Sequence, residues 1–126
     1  MSKRETPLTR RYWKSVGGTL IEEFEAIPLG SDHGKRLIDA IIVQEGPTRI
    51  AKKSEVDLKG KDIIVIQTKA TRLGMYLMGQ AIISKELMKR FKPRSIKSVA
   101  ICTKEDSVLE PLLRKFKNIE VVIYKD

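Results

Sequence analysis

The chain has 126 residues, and 25 lysines and arginines against 16 aspartates and glutamates leave it a formal charge of +9. With one cysteine and one histidine, it has neither an intramolecular disulfide nor a zinc site built from these two residue types. No apolar run reaches the roughly 20 residues of a membrane span, so we expect a cytoplasmic domain without membrane contact. The charge indicates a polyanionic partner, nucleic acid above all, with a basic solubilising surface as the alternative.

The N-terminal part of the chain is predicted to form a helix. Residues 1–9 are polar, and we expect them to be a flexible N-terminus before a single domain over residues 10–126. From Arg10 to about Phe24, apolar residues recur at steps of three and four, which is typical of a helix. Gly17 and Gly18 lie inside this range, and indicate either close approach of another backbone or a helix that begins only after them.

The rest of the chain alternates between β-branched runs and helical spacing. Such alternation predicts a partly parallel sheet with helices on its faces, and therefore an α/β domain. Turn signals and changes of periodicity place strands over 37–43, around 48–51, and over 62–69, 96–102 and 119–124, with helices over 73–91 and 108–116.

Polar side chains interrupt the apolar pattern of two strands. Asp39 lies inside the strand over 37–43, where an unpaired buried carboxylate is expensive; exposure to solvent by simple alternation is the other interpretation. Gln67 and Lys69 end the strand over 62–69 and project from the same face. If the two strands are neighbours, an acid, an amide oxygen and an ammonium group form a divalent-metal site with an adjacent cation.

The long helix over 73–91 carries a third polar feature. Gln80 falls near the centre of the stripe that includes Leu77, Ser84 and Leu87. An amide on a buried helix face needs hydrogen-bond partners, which the polar cluster on the strands would provide. The alternative is a glutamine bonded to backbone where the helix meets the sheet.

Together these residues resemble the PD-(D/E)xK nuclease superfamily. Asp39, then Gln67-Thr68-Lys69 on the next main strand, then a helix with Gln80 follow its pattern, and the element order is similar over about residues 10–104. The glutamine before x-K resembles Mrr-type restriction endonucleases. The helix glutamine resembles RecB-like nucleases, although Ser84 stands where a tyrosine is usual. The resemblance implies a restriction-endonuclease-like αβββαβ core with a mixed central sheet and an added C-terminal αβ unit.

The resemblance also implies an activity, metal-dependent hydrolysis of DNA phosphodiester bonds with Mg²⁺ or Mn²⁺; RNA stays open as a substrate. Because the chain is too small for a separate specificity domain, we expect it to recognise DNA structure, such as ends, branches or single strands, or to be targeted by a partner. Asp39 would anchor the metal, and the carbonyl of Thr68 or the amide oxygen of Gln67 would add a second ligand. Lys69 would orient the attacking water or stabilise charge on the phosphate. Gln80 would order the site from behind.

The neutral Gln67 implies that another acid completes the metal site. The family often supplies one from its first helix, and Glu23, with Glu22 as the alternative, is the candidate here. A catalytically inactive nucleic-acid-binding module on the same fold, with Gln67 marking a lost metal site, is the main alternative function.

Two further surfaces are predicted to meet partners. Met75, Met78 and Ile82 form an apolar stripe on the long helix, which favours a homodimer or a covering loop, and a basic scaffold protein using this stripe is the third functional alternative. Four basic residues are predicted to contact DNA phosphates: Lys14, Lys35, Arg36 and Arg72. The alternative is that they are ordinary solvated surface charges.

Overall fold

The structure is a computed structural model that describes residues 1–125, and within them three α-helices flank one six-stranded mixed sheet. The helices are α1 (Glu5–Val16), α2 (Met75–Met88) and α3 (Leu109–Leu113), and single 3₁₀ turns lie at Lys53–Glu55 and Lys89–Phe91. The strands are β1 (Thr19–Ile27), β2 (Arg36–Val43), β3 (Arg49–Ile50), β4 (Asp62–Thr68), β5 (Ser95–Cys102) and β6 (Ile119–Ile123).

The sheet has the order β3-β1-β2-β4-β5-β6. The strands β1, β2 and β4 are antiparallel neighbours, whereas β5 runs parallel to β4 and β6 runs parallel to β5. The short β3 pairs in parallel with β1 at the edge. The α/β prediction and the mixed sheet are confirmed, and no helix within residues 1–125 is long and apolar enough to cross a membrane.

The predicted helix over Arg10–Phe24 is wrong in its second half, which is strand β1. Gly17 and Gly18 adopt φ values of 75° and 86°, and therefore end α1. A Cβ atom on Gly18 would lie 2.6 Å from the carbonyl oxygen of Val43, so this glycine allows the close approach of β2. Of the two interpretations of the glycine pair, close backbone approach is the correct one.

The first helix also begins earlier than predicted, at Glu5 instead of Arg10. The Ser2 hydroxyl accepts a hydrogen bond from the Glu5 N–H at 3.2 Å, and the Ser2 N–H donates to the Glu5 carboxylate at 3.0 Å. This reciprocal pair is the arrangement of a capping box, which satisfies free N–H groups at the start of a helix. Residues 5–9 of the predicted flexible N-terminus therefore belong to α1.

The sheet has an α1 face and an α2 face, each named after the helix that covers it. Ile64 and Ile66 of β4 join the buried cluster that contains Tyr12 of α1. Ile63 and Val65 of the same strand join the cluster that contains Met88 of α2. Because strand side chains alternate, the next two residues of β4 are directed to opposite faces: Gln67 to the α2 face and Thr68 to the α1 face.

Candidate functional site

The two central strands separate to form a fork in the sheet. The β2–β4 pairing runs from Val43 opposite Ile63 to Ala40 opposite Ile66. Beyond Ala40, β2 continues beside β1, whereas β4 continues beside β5. The Asp39 carboxylate spans the start of this gap and accepts a hydrogen bond from the Thr68 N–H at 2.8 Å.

On the α1 side of the fork, the Asp39 carboxylate lies within electrostatic range of two other acids and one cation. Asp39 is half-buried, and burial raises its pKa above the usual value. The hydrogen bond from Thr68 and the amino group of Met1 lower this pKa, whereas the carboxylates of Glu5 and Glu23 raise it. The Met1 amino group also forms an ion pair with Glu23. Burial and the neighbouring carboxylates therefore raise the free energy of the charged form of Asp39, whereas a nearby cation lowers it.

The Thr68 side chain connects the fork to the first helix. Its hydroxyl lies 2.7 Å from the Thr9 hydroxyl, and both side chains are buried. Thr9 belongs to α1, one helical turn after Glu5, so the hydroxyl pair holds this end of the helix at the fork. The predicted metal ligand is the Thr68 carbonyl, which this hydroxyl pair does not involve, so that role stays a prediction.

The structure places Glu23 on β1, not on the first helix as predicted. The β1–β2 register sets Glu22 opposite Ala40 and Phe24 opposite Ile38, which leaves Glu23 opposite Asp39. Glu23 has a left-handed backbone, with φ of 51°. Glu22 instead forms hydrogen bonds of 3.0 and 2.8 Å with Arg10, so Glu23 is the one of the pair that approaches Asp39.

Sequence reasoning missed Glu5 as a site residue. It lay in the segment expected to be flexible, yet it begins α1 and influences the Asp39 carboxylate. The serine-x-x-glutamate spacing from Ser2 to Glu5 was the available signal, because this spacing marks a helix start.

Gln67 and Lys69 face α2, as their spacing on one strand predicts. The Gln67 Nε2 atom donates to the Ser84 Oγ atom at 2.7 Å. The Lys69 ammonium lies 5.5 Å from the centroid of the Tyr76 ring. The predicted cluster is therefore divided between the two faces: Asp39 interacts with groups from the α1 side, whereas Gln67 and Lys69 contact residues of α2.

A cavity of about 450 Å³ opens on the α2 face of the fork. Gln80 borders it and is half-buried, at the edge of the buried helix face instead of at its centre. The start of β2 forms the opposite wall. Its lining includes Arg36, Gln67, Tyr76, Ile83, Ser84 and Leu87.

The predicted phosphate-binding residues are spread over the surface. Arg36 is exposed at the cavity, and Lys35 beside it forms an ion pair with Glu25 at 3.6 Å. Arg72 donates to the Glu105 carbonyl oxygen at 2.6 Å, away from the fork. Lys14 is exposed on α1, in a shallow depression of that helix. Of the four, Arg36 and Lys35 lie at the start of β2, nearest along the chain to Asp39.

The predicted dimer stripe is largely used within the chain. Met78 and Ile82 pack on a buried cluster that includes Leu113 of α3, which takes the place of a covering loop. Met75 is 76% exposed, its neighbour Tyr76 is 72% exposed, and Ile83 is 57% exposed. A homodimer through Met75, Met78 and Ile82 stays a prediction, with Met75 as its exposed member.

The donors at the fork match the chemistry of Mg²⁺ or Mn²⁺. Within residues 1–125, no three histidine, cysteine, aspartate or glutamate side chains are arranged as a ready metal-binding group. Asp39, Glu23 and Glu5 carry carboxylate oxygens, the type of ligand that these ions prefer, and the Met1 amino group pairs with one of them, Glu23. Gln67 is paired with Ser84 and lies outside this set.

A scan of protein-family models and searches of curated proteins and of solved structures found no match to this chain. The side chains at the fork and the cavity are therefore the basis for a functional proposal.

Proposed function

We propose that the chain is a metal-dependent nuclease that hydrolyses DNA phosphodiester bonds at the fork between β2 and β4. The observation that carries this proposal is the Asp39 carboxylate, which is half-buried, has a raised pKa and lies near Glu5 and Glu23. A carboxylate whose charge is opposed by burial and by like charges is typical of functional sites. A bound divalent cation would relieve that cost.

Asp39, Glu23 and Glu5 would hold Mg²⁺ or Mn²⁺. When bound, the metal supplies polarisation of a phosphoryl oxygen and lowers the pKa of its water. The Thr68 N–H fixes the orientation of the Asp39 carboxylate. Lys69 follows Thr68 on the α2 side of the fork, and we propose that its long side chain reaches through the gap between the strands to the phosphate, where a fixed positive charge stabilises the transition state.

The strand arrangement supports the finer fold proposal. The order α1-β1-β2-β4-α2-β5 corresponds to the αβββαβ core of PD-(D/E)xK nucleases, with β1, β2 and β4 as the antiparallel meander and β5 parallel to β4. The final α3 and β6 correspond to the added αβ unit. In this arrangement Glu5 on the first helix compensates for the neutral Gln67.

The charge supports a nucleic acid substrate. A net charge of +9 attracts a polyanion through phosphate contacts, and the acidic groups at the fork would repel phosphates without it. Arg36 and Lys69 border the opposite, α2 face of the fork. DNA is the proposed substrate, and RNA serves as the comparison in the assay.

A second candidate is a non-catalytic nucleic-acid-binding module on the same fold. Its specific support is Gln67, which is uncharged and directed to Ser84 instead of to Asp39. This candidate predicts DNA binding with no cleavage under any metal condition.

The test is incubation of labelled single-stranded, duplex and branched DNA, and of matched RNA, with Mg²⁺, Mn²⁺ or a chelator. We expect metal-dependent cleavage of DNA that falls by roughly a hundredfold or more in Asp39→Asn and Glu5→Gln. Glu120→Gln is the matched control, because this half-buried acid pairs with Lys97 on the far strands. Cleavage at the wild-type rate in Asp39→Asn would refute the site, and binding without cleavage in the wild type would favour the second candidate.

A direct measurement of metal binding completes the test. Mn²⁺ is expected to raise the melting temperature of the wild-type protein, because a ligand that binds only the folded state stabilises it. The Asp39→Asn variant should show a much smaller shift. Equal shifts in both proteins would place the metal elsewhere.

A further inference from the structure

The cavity on the α2 face contains a polar atom without a partner. The Gln67 side chain is only 3% exposed. Its Nε2 atom is bonded to Ser84, whereas its Oε1 atom is buried and has no hydrogen-bond partner in the part of the chain that the structure describes. Such atoms are rare because leaving one unpaired costs stability. Because Gln67 borders the cavity, a turn of its side chain toward the cavity would let a ligand with a donor group satisfy this oxygen.

The rim of the cavity combines an aromatic ring with two cations. Tyr76 is exposed, and the Lys69 ammonium lies 5.5 Å from the centroid of its ring. Arg36 is exposed on the opposite wall, and Ile83 and Leu87 provide apolar surface between the walls. The volume of about 450 Å³ lies within the roughly 300–1,000 Å³ of small-ligand sites.

We infer that this cavity receives an unpaired base of a nucleic acid strand. The base would stack on Tyr76 and donate a hydrogen bond from its amino or imino group to the free amide oxygen of Gln67. Arg36 and Lys69 would contact the flanking phosphates. Stacking on aromatic side chains in a basic groove is how proteins bind single strands. The inference rests on the proposed function for its choice of a nucleic acid ligand, and deepens it by assigning a substrate with unpaired bases.

The position of the cavity fits this role. Ile38 and Gln67 border it, and the residues next to them in sequence are Asp39 and Thr68, which meet at the start of the fork. The cavity and the carboxylates therefore border the same fork from its two sides, and a strand that crosses the fork would contact both.

Charge argues against a second copy of the chain as the occupant. A symmetric dimer across this cavity would bring two copies of Arg36 and of Lys69 into one interface, and such a concentration of like charge is unfavourable. An anionic strand is complementary to the same surface.

The experiment measures binding without cleavage. Fluorescence anisotropy of a labelled single-stranded oligonucleotide is recorded in chelator, beside the matching duplex and a strand of equal length with abasic positions. We expect the wild type to prefer the base-containing single strand over both. Tyr76→Ala should weaken single-strand binding by roughly tenfold to a hundredfold, with little effect on the duplex.

Two further variants separate the cavity from general effects. Gln67→Met removes the free amide oxygen and should weaken single-strand binding and reduce any preference among the four bases. Phe116→Ala is the matched control, because Phe116 is another exposed aromatic residue outside the cavity, and it should bind as the wild type does.

Several results would overturn the inference. Wild-type affinity in Tyr76→Ala, equal binding of base-containing and abasic strands, or absence of single-strand binding would each do so. A Tyr76→Ala variant that changes only the oligomeric state in analytical ultracentrifugation would assign the cavity to a second copy instead. Because the chelator stops metal-dependent cleavage, a protein that binds through Tyr76 and never cleaves supports the cavity and refutes the nuclease. A protein that cleaves, but whose binding does not depend on Tyr76, supports the nuclease and refutes the cavity.

Discussion

Replacing Gln67 with methionine should leave the protein as stable as the wild type, or more stable, although it removes a buried hydrogen bond. Methionine has a similar length and is apolar, so it can occupy the same buried position. In the wild type, the amide forms one side-chain bond, to Ser84, and one of its two polar atoms has no partner among residues 1–125. This holds whichever way the amide is oriented, because Ser84 can pair with either atom but not with both.

The magnitude follows from what each substitution leaves unpaired. Gln67→Met loses one hydrogen bond, about 0.5–1.5 kcal/mol, and removes one unpaired buried atom, which returns about 1–3 kcal/mol. The freed Ser84 hydroxyl can bond to the carbonyl one turn earlier in α2. We therefore expect a change between about −0.5 and about +2.5 kcal/mol, centred on about 1 kcal/mol of stabilisation.

Ser84→Ala should act in the opposite direction. It leaves both polar atoms of the buried Gln67 amide unpaired, at a cost of about 1–3 kcal/mol. The better helix propensity of alanine offsets about 0.5 kcal/mol of this. Ser84→Ala should therefore be less stable than Gln67→Met by at least about 1 kcal/mol, although both variants lose the same hydrogen bond.

Urea denaturation, followed by circular dichroism and by the fluorescence of Trp13, measures both free energies of unfolding. An unchanged m value shows that the comparison is one of stability alone. A Gln67→Met variant that loses more than about 1.5 kcal/mol, beside a neutral Ser84→Ala, would refute the reasoning. Such a result would mean that the amide is fully satisfied in solution, and the cavity would lose the unpaired acceptor on which its ligand was inferred.

Two other substitutions have clear expected outcomes. Asp39→Asn should be more stable than the metal-free wild type near neutral pH, because burial raises the pKa of Asp39 and ionisation therefore costs stability. That cost disappears below the ordinary pKa of 3.8, where Asp39 is protonated in both the folded and the unfolded state. The difference in melting temperature between Asp39→Asn and the wild type should therefore shrink toward acid pH. A difference that does not change with pH would contradict this explanation. Gly18→Ala should lose about 2–4 kcal/mol in urea denaturation, because it combines a positive φ with a contact to the Val43 carbonyl oxygen. Gly79→Ala, in open space on α2, should instead gain up to about 1 kcal/mol and serves as its control.

Much of the fold was predictable because several segments carry unambiguous local signals. The β-branched run of β4 is bounded by turn residues, and the helical spacing of α2 ends before Pro93. The strand β1 was not predictable in the same way. Leu20, Ile21 and Phe24 are all buried, with Leu20 and Phe24 in clusters on opposite faces of the sheet. A strand that is buried on both faces can show helical spacing, and only the pairing with β2 decides between the two.

The sequence by itself determined which polar groups are out of place in the apolar pattern. An acid within a strand, Asp39, and an amide and a lysine two residues apart, Gln67 and Lys69, were all identifiable because apolar strands rarely carry them. Their spacing on one strand also determined that Gln67 and Lys69 share a face.

The tertiary structure alone decided how these groups are divided between the two faces. The left-handed turn of Glu23 and the separation of β2 from β4 set Asp39 among the acids of the α1 side, whereas Gln67 meets α2. Glu5 reaches the same site from 34 positions away in sequence, held by the packing of α1. Local patterns report the period of burial along one segment. They contain no information about which distant segment covers each face, and that contact determines where a charge is opposed and where a ligand can bind.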